Sequence, residues 1–381
     1  MTTSNPFYSA DHEVFRSQVR RFVERECLPH IDAWECAGEL PRELHRKAAA
    51  AGLLGVGFPE TYGGAGTLDP FYTVVAMEEL ARAGAGGLIA SLMSHGIASP
   101  PVMNAGTPEQ KERFLRPVLA GEKIAALGIT EPGGGSDVAN LRTRAVREGD
   151  DYVVNGSKTF ITSGMRADLV TLAVRTGGPG FGGVSLLVVD TTTPGFSRTP
   201  LDKMGWRCSD TATLYFQDCR VAVANRLGAE NQGFMIVMKN FNPERLMLAA
   251  QAWAFGQVCY ADALEWARQR QTFGRPLITR QVVRHQLVDM KMALDAVKAT
   301  LDLLCWRVAQ GQMPIAEVCL LKNLATSTLE RVAGEAVQIL GGAGYLRGAR
   351  VERIFRETKV LSIGGGASEV LKDLAARQLK Y

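Results

Sequence analysis

Apolar residues in the first third of the chain recur every three to four positions. In segment 10–27, Phe15, Val19, Phe22 and Val23 fall on one side of a helix, because this spacing returns to the same face. The same pattern, with Gly and Pro as breakers, predicts helices over further segments, which are 40–51, 69–82, 87–105 and the one that starts at Thr107-Pro108. We therefore predict a helical domain over residues 1–123.

Short apolar runs replace the helical spacing beyond residue 123. Segment 124–129 has the composition of a buried strand, and further β-rich runs cover 141–147, 152–154, 169–174, 184–189 and 213–216. Asn155-Gly156 is predicted to be a turn between two strands, and segment 177–183 to be the tip of a hairpin. Regularly spaced short strands predict a small antiparallel sandwich or barrel over residues 124–232.

Helical patterns return from residue 233 to the end of the chain. Segment 245–270 is apolar almost all round, which indicates a buried helix, and two more long helices are predicted over 283–306 and 313–340. Long antiparallel helices with short connections predict a four-helix bundle over residues 233–381. The predicted fold class is therefore mainly α with a central β domain.

Charge and cysteine usage exclude several classes of protein. The 43 basic and 39 acidic residues are mixed along the chain and leave a net charge of +4, which does not indicate a nucleic-acid or anionic-membrane partner. The seven cysteines contain no C-x-x-C pair and the five histidines no ligand spacing, so we expect neither a disulfide framework nor a metal site. With no secretory or transit pattern and no run of roughly 18 apolar residues, we expect a cytoplasmic protein.

A glycine-rich loop follows the apolar run 124–129. It reads Thr-Glu-Pro-Gly-Gly-Gly-Ser-Asp over residues 130–137. Three consecutive glycines let backbone N–H groups approach a ligand closely, and together with the hydroxyl of Ser136 they suit a phosphate or the edge of a flavin. A plain glycine-rich turn is the alternative. The segment contains neither the Gly-Lys-Ser/Thr of a P-loop nor a Rossmann fingerprint.

The loop over residues 130–137 closely resembles the signature of acyl-CoA dehydrogenases, the FAD enzymes of acyl-CoA oxidation. Pro59-Glu60-Thr61-Tyr62-Gly63-Gly64 also resembles the Pro-Glu-x-Tyr-Gly-Gly segment of that family. The predicted order of helical domain, β domain and helical bundle is that of the family, so the resemblance extends over nearly the whole chain. It implies an FAD-dependent enzyme with an acyl-CoA substrate.

The resemblance also implies a set of FAD contacts. Thr130 would lie at the pyrimidine end of the flavin, Phe160 would pack beside the ring where Trp is commoner in the family, and Thr162 would hydrogen-bond near N5. The Arg-x-x-Phe-Gly stretch and a following Gln would reach the FAD of a neighbouring subunit. The implied cofactor residues are Leu127, Ile129, Thr130, Ser136, Phe160, Ile161, Thr162, Arg270, Phe273, Gln281, Gln338, Gly341, Gly342, Ala367, Ser368 and Glu369.

The catalytic base departs from the commoner family pattern. Many members carry a glutamate in an Ile-Tyr-Glu-Gly run, where this chain has Gly365, and Glu369 falls four positions too late to replace it. Isovaleryl-CoA and long-chain types instead place the base directly before an arginine on the first bundle helix. Glu244-Arg245 matches that arrangement, so we predict Glu244 as the base.

A local reading of the same segment is compatible with this role. Asn242 as N-cap, Pro243 at the first helical position and Glu244 in the first turn would be ordinary helix-start chemistry. Asn242 also replaces the aspartate that is often found at its position in the family.

The resemblance implies a substrate site as well. Its residues are Ser136, Asn242, Arg245, Gly364, Gly365 and Gly366. The backbone N–H of Gly365 and a flavin hydroxyl would stabilise enolate-like charge on the thioester oxygen. Most members have an aromatic residue at the position of Gly364, whereas isovaleryl-CoA dehydrogenases share the glycine, and citronellyl-CoA dehydrogenases form a comparable branch. We hypothesise that the chain accepts a methyl branch near the β-carbon; the alternative is that a neighbour refills the space.

The predicted function is α,β-dehydrogenation of an acyl-CoA by an FAD-dependent dehydrogenase. Its implied partners are electron-transferring flavoprotein and three further copies of the chain in a homotetramer. Another flavin enzyme on the same scaffold is the alternative, namely an acyl-CoA oxidase, a nitroalkane oxidase or a flavin monooxygenase. Glu244 argues against the monooxygenases, which need no such base. A non-enzymatic or nucleic-acid-associated relative is disfavoured by the unclustered charge.

Overall fold

The computed structural model describes residues 5–381. Its α-helices are α1 (Ala10–Phe22), α2 (Ile31–Ala37), α3 (Glu43–Ala50), α4 (Pro70–Ala81), α5 (Gly86–Leu92), α6 (His95–Ala98), α7 (Pro100–Ala105), α8 (Pro108–Gln110), α9 (Arg116–Leu119), α10 (Gly233–Gln269), α11 (Gln281–Ala309), α12 (Ile315–Leu340), α13 (Arg350–Ile363) and α14 (Ser368–Leu379). Its strands are β1 (Ala125–Gly128), β2 (Arg144–Glu148), β3 (Asp151–Thr162), β4 (Leu169–Arg175), β5 (Val184–Asp190), β6 (Phe196–Pro200), β7 (Thr211–Ala222), β8 (Arg226–Leu227), β9 (Gln271–Thr272) and β10 (Arg275–Pro276).

Contacts group these elements into two compact units. The sheet unit comprises Trp34–Thr67 and Gly87–Phe241, and the helical unit comprises the residues up to Ala33, Leu68–Gly86 and Asn242–Tyr381. Helix α10 begins in the sheet unit and belongs to the helical unit from Asn242 onward. The three-domain division given above stays a prediction.

The sheet unit is built on an eight-stranded mixed sheet. Its strands follow the order β6-β7-β3-β2-β4-β5-β8, and β1 pairs with β4 in parallel. Strand β4 is buried on both faces: Leu169 and Ala173 join one apolar core, whereas Val170, Leu172 and Val174 join another. This double burial explains the continuous apolar run in its sequence. The hairpin predicted at 177–183 connects β4 and β5, which pair antiparallel.

Two local predictions in the sheet unit are wrong. Asn155-Gly156 is not a turn, because residues on both sides of it find partners and form the single strand β3; the turn lies at Gly149-Asp150, after Glu148 pairs with Asp151. The helix predicted over 87–105 is broken into α5, α6 and α7. A new helix, α7, begins at Pro100 because proline has no N–H to donate within a continuous helix.

The helical unit contains the long helices α11, α12 and α13, together with most of α10. The predicted helix start at Asn242 is wrong, because α10 already begins at Gly233 and contains Pro243 in its interior. Helix α12 packs against α11, α13 and α14. In residues 5–381, no helix is both long enough and apolar enough to span a membrane.

Candidate active site

A buried ion pair fixes the glycine-rich loop to strand β3. The Glu131 carboxylate accepts hydrogen bonds from the backbone N–H of Arg142 at 2.6 Å and of Thr143 at 2.8 Å. Lys158 Nζ donates to Glu131 Oε1 at 2.8 Å and to the carbonyl oxygen of Ile129 at 3.0 Å. The Lys158 side chain is fully buried. Lys158 on β3 therefore ties the first residues of the loop to the sheet.

The charges of this pair follow from its surroundings. Burial lowers the pKa of Lys158 to about 8, against the opposing effect of the Glu131 carboxylate. Burial alone would raise the pKa of Glu131, but the charge of Lys158 and the hydrogen bonds outweigh it, so the carboxyl pKa lies below its ordinary value. The pair is thus ionised at neutral pH and holds the loop electrostatically.

Phe160 is presented at an irregularity in β3. The pairing of β3 with β7 shifts register between Lys158 and Ile161, and Phe160 adopts a φ of +60°. Phe160 as a residue is 69% exposed. A large residue in the left-handed region is strained, and such strain is concentrated at functional sites. The bulge therefore turns an aromatic ring outward instead of into the sheet core.

The structure brings Thr130 next to Phe160, two of the predicted flavin residues of the sheet unit. The N–H of Thr159 donates to the carbonyl oxygen of Thr130 at 2.8 Å, so the loop start lies beside Phe160. Ile129 and Ile161 are buried in the two apolar cores, whereas Leu127, Thr130 and Thr162 are partly exposed and Ser136 is exposed. The hydroxyl of Thr130 and nearby backbone groups are therefore available for hydrogen bonds to a ligand next to the exposed Phe160.

These residues fit FAD. An exposed aromatic ring offers a flat apolar surface for a flavin ring, since aromatic systems stack with an offset. A cavity of about 550 Å³ lies beside the loop, lined among others by Glu131, Gly133, Gly134 and Asp137. A Cβ added at Gly133 or Gly134 would meet nothing within 4 Å, so the loop leaves open space for a ligand.

In the helical unit, Glu244 lies next to Gly365. A Cβ built on Gly365 would lie 3.6 Å from Glu244 Oε1 and would overlap Leu248 Cδ1. Gly365 also has a φ of +67°, a conformation that side chains disfavour. The glycine at the commoner base position and the glutamate on α10 therefore occupy one place in the fold, and Leu248 fills the space that a side chain at 365 would need.

Three side chains hold the loop that contains Gly365. Arg245 Nε donates to the carbonyl oxygen of Gly365 at 3.3 Å, and Lys322 Nζ donates to that of Gly366 at 2.9 Å. Asn323 Nδ2 donates to the carbonyl oxygen of Ser368 at 3.0 Å. Lys322 is fully buried. Helices α10 and α12 thereby fix the backbone conformation of the loop next to the carboxylate.

Glu244 has the protonation behaviour of a general base near neutrality. Burial raises its pKa to about 7, although the positive charges of Arg245 and Lys322 lower it in part. Burial likewise lowers the pKa of Lys322 to about 8, with Arg245 acting in the same direction and Glu244 against it. A carboxylate poised near the working pH is suited to proton abstraction.

Asn242, which the resemblance predicts to contact the substrate, is buried, and its Oδ1 atom has no hydrogen-bond partner within the described part of the chain. Buried polar atoms are normally paired. An orphaned acceptor on the same helix as Glu244 fits a contact with a bound ligand. Gly364 is exposed and has a φ of −70°, which any residue can adopt.

The remaining predicted FAD residues lie on the surface of the helical unit. Phe273 is 96% exposed and follows Arg270 on the β9–β10 hairpin, and Arg280, directly before Gln281, donates to the carbonyl oxygen of Thr272 on that hairpin at 2.9 Å. Gln338, Gly341 and Gly342 are exposed at the end of α12, and Ala367, Ser368 and Glu369 surround the start of α14. A single chain does not enclose the Phe273 ring.

Sequence reasoning missed Lys158, Lys322 and Leu248. For the two lysines a signal exists: each is a single charge next to apolar or β-branched neighbours, in Lys158-Thr159-Phe160-Ile161 and in Leu320-Leu321-Lys322. A buried charge of this kind needs a partner, which identifies it as part of a structured site. Among residues 5–381, no group of three or more His, Cys, Asp or Glu side chains could hold a metal ion.

Comparison with known proteins identifies the family. The models of the acyl-CoA dehydrogenase N-terminal, middle and C-terminal domains match residues 9–122, 126–219 and 231–380. The long-chain specific acyl-CoA dehydrogenase of Rattus norvegicus mitochondria is 37% identical over 98% of this chain and 87% of its own length.

Two solved structures have the same fold. A probable acyl-CoA dehydrogenase from Mycobacterium abscessus is 50% identical, with a TM-score of 0.96 over 98% of this chain and 100% of its own. A glutaryl-CoA dehydrogenase from Mycobacterium smegmatis, solved in complex with FADH2, is 27% identical, with a TM-score of 0.92 over 99% and 96% of the two chains. This chain belongs to the acyl-CoA dehydrogenase family, whose members are FAD-dependent oxidoreductases that act on CH–CH donors.

Proposed function

We propose that this protein converts an acyl-CoA thioester to the 2-enoyl-CoA with Glu244 as the base that removes the α-proton. The observation that carries the proposal is the carboxylate of Glu244 beside Gly365, with a pKa raised to about 7. Arg245 and Lys322 hold the carbonyl groups of Gly365 and Gly366, so the adjacent backbone is fixed before a substrate arrives.

Each residue has a defined task in this reaction. Glu244 takes the α-proton, and the backbone N–H of Gly365 donates to the thioester oxygen, where negative charge develops. Bound FAD supplies the hydride acceptor for the β-hydrogen. Phe160, Thr130 and Thr162 in the sheet unit would hold and orient the flavin, and Ser136 would contact its pyrophosphate.

The substrate that we propose carries a methyl branch near the β-carbon, on a medium or long chain. Gly364 supports this proposal, because it has no side chain next to the residue that contacts the thioester. Its open surroundings also support it: a Cβ there would approach only the carbonyl oxygen of Val360, at 3.3 Å. The long-chain relative named above supports the chain length.

We further propose a cytoplasmic homotetramer that passes electrons to electron-transferring flavoprotein. The exposed Phe273 supports assembly, since an apolar ring that is 96% exposed in one chain is suited to burial against a second copy. An acyl-CoA oxidase, which would pass the electrons to oxygen, is the second candidate within the same fold.

One set of measurements tests these proposals. We expect the purified protein to be yellow, to contain one FAD per subunit and to elute as a tetramer. With a panel of acyl-CoAs, turnover should depend on an artificial electron acceptor and proceed slowly with oxygen alone. A colourless protein that cannot be reconstituted with FAD would contradict the function, and rapid hydrogen peroxide formation would favour the oxidase.

A further inference from the structure

One face of α10 extends from the candidate base into the helix interior. Glu244, Leu248, Gln251 and Phe255 are spaced by four, three and four residues, which places them on one side of an α-helix. Leu248 is the residue that a Cβ on Gly365 would overlap. Glu244 and Leu248, at the start of this face, therefore meet the loop of the candidate active site.

Gln251 is the polar residue on this face beyond Glu244. Its side chain is 2% exposed, and its buried Nε2 atom has no hydrogen-bond partner among the described residues. The side chains on either side of it along the face, Leu248 and Phe255, are apolar and offer no acceptor. Leaving a buried amide donor unpaired destabilises a protein, and native structures rarely keep one without a reason.

We propose that Gln251 is a specificity-determining residue, whose amide donates a hydrogen bond to an oxygen atom on the acyl chain of the substrate. Gln251 comes seven residues after Glu244, and a helical rise of roughly 1.5 Å per residue places it about 10 Å farther along the axis of α10. This separation places the contact on the distal part of the acyl chain and away from the thioester. The substrate class is then an acyl-CoA with a hydroxyl or carbonyl oxygen, and the inference rests on the proposed function.

A buried amide donor in the acyl-chain site should favour oxygenated acyl chains over plain hydrocarbon chains, because only the oxygenated chain gives it a hydrogen-bond partner. A plain hydrocarbon chain would leave the Gln251 amide as it is in the ligand-free chain. An oxygenated chain would satisfy it, and the gain would appear in kcat/KM.

The test compares acyl-CoAs with their ω-hydroxy counterparts from hexanoyl to dodecanoyl, using the FAD-loaded enzyme. For the wild type, we expect kcat/KM for at least one hydroxyacyl-CoA to exceed that of the matched plain chain by about tenfold or more. Gln251→Leu should abolish this preference. Gln257→Leu, the same change on another face of α10, should retain it. A wild type that prefers the plain chain at every length, or an unchanged ratio in Gln251→Leu, would overturn the proposal.

A second measurement does not use activity. Without substrate, Gln251→Leu should unfold at a higher temperature than the wild type, because the variant removes an unpaired buried donor. A lower melting temperature together with an unchanged ratio would mean that the amide is already satisfied, and would also overturn the proposal. Turnover of plain chains tests the proposed function separately: if no acyl-CoA is oxidised by any variant, that function fails and the role of Gln251 fails with it.

Discussion

Glu244 Oε1 lies 3.6 Å from the point that the Cβ of residue 365 would occupy. These residues are 121 positions apart, and the family resemblance predicts the base at one or the other of them. A carboxylate in the interior of α10 and one on the loop between α13 and α14 would thus reach the same point in the fold. In this chain Leu248 fills the space that a side chain at position 365 would need.

Replacing Glu244 by Gln should remove the base and keep the shape of the side chain. We expect turnover to fall by roughly 10²–10⁴, the usual contribution of general base catalysis, with FAD content and ligand binding retained. Glu265→Gln, at an exposed position of the same helix, is the matched control. Near-normal turnover of Glu244→Gln would show that another group takes the proton.

The activity should depend on pH through the ionisation of Glu244. Its pKa is raised to about 7, so the group is protonated and inactive as a base at lower pH. We expect kcat/KM to rise about tenfold per pH unit below 7 and to level off above it. A profile that is flat between pH 5 and about 8 would contradict Glu244 as the ionising base.

The same ionisation predicts that the free energy of unfolding decreases as the pH rises, whereas the activity increases. The pKa of Glu244 in the folded protein lies above the ordinary value of a glutamate, so protonation of Glu244 stabilises the fold. This stabilisation is lost as the pH rises from the ordinary glutamate pKa through about 7. Glu244→Gln cannot ionise. The free energy of unfolding, measured by chemical denaturation at several pH values, should therefore decrease less over this range for Glu244→Gln than for the wild type.

Lys322 should act as a positioning residue for the loop and as a charge near Glu244. In Lys322→Met the carbonyl of Gly366 loses its buried donor, and the loss of a positive charge raises the pKa of Glu244 further. We expect kcat to fall and the acidic limb of the pH profile to move above 7. Lys291→Met, at an exposed position of α11, is the control. A lower melting temperature with an unmoved limb would indicate a role in folding alone.

Positions 364 and 365 should respond differently to substitution. Gly365→Ala is strained at a φ of +67° and overlaps Leu248, so both stability and turnover should fall. The backbone strain alone should lower the free energy of unfolding by about 1–2 kcal/mol. Gly364→Tyr meets no such barrier and should fold. We expect it to lower kcat/KM for 3-methyl-branched acyl-CoAs relative to straight ones of equal length. An unchanged ratio would show that Gly364 does not set substrate shape.

The buried pair of Lys158 and Glu131 should be needed for FAD retention. Lys158→Met leaves a buried carboxylate without its cation, which costs about 3–5 kcal/mol. We expect a lower melting temperature and a reduced FAD content, measured from the flavin absorbance. Adding Glu131→Gln to Lys158→Met should restore part of the stability, because the unpaired charge is then removed. No recovery in the double variant would contradict an electrostatic origin of the loss.

Local structure was largely determined by the sequence itself. The periodicity of apolar residues predicts helices such as α4, α11 and α12, and the runs around β4 and β5 predict a hairpin, because these features depend on neighbours a few positions away. The glycine-rich loop and the Glu244-Arg245 pair were recognisable for the same reason. Their chemistry is contained in consecutive residues.

Only the tertiary structure decided where long-range partners meet. Asn155-Gly156 has the local chemistry of a turn, but pairing with β2 and β7 on either side extends β3 through it. Helix α10 runs through Pro243, although the local pattern predicts a start there. The contacts of Lys322 with Gly366, and of Glu244 with the loop at Gly365, join segments far apart in the chain. Such contacts arise from the packing of whole elements, whose free energy no local pattern contains.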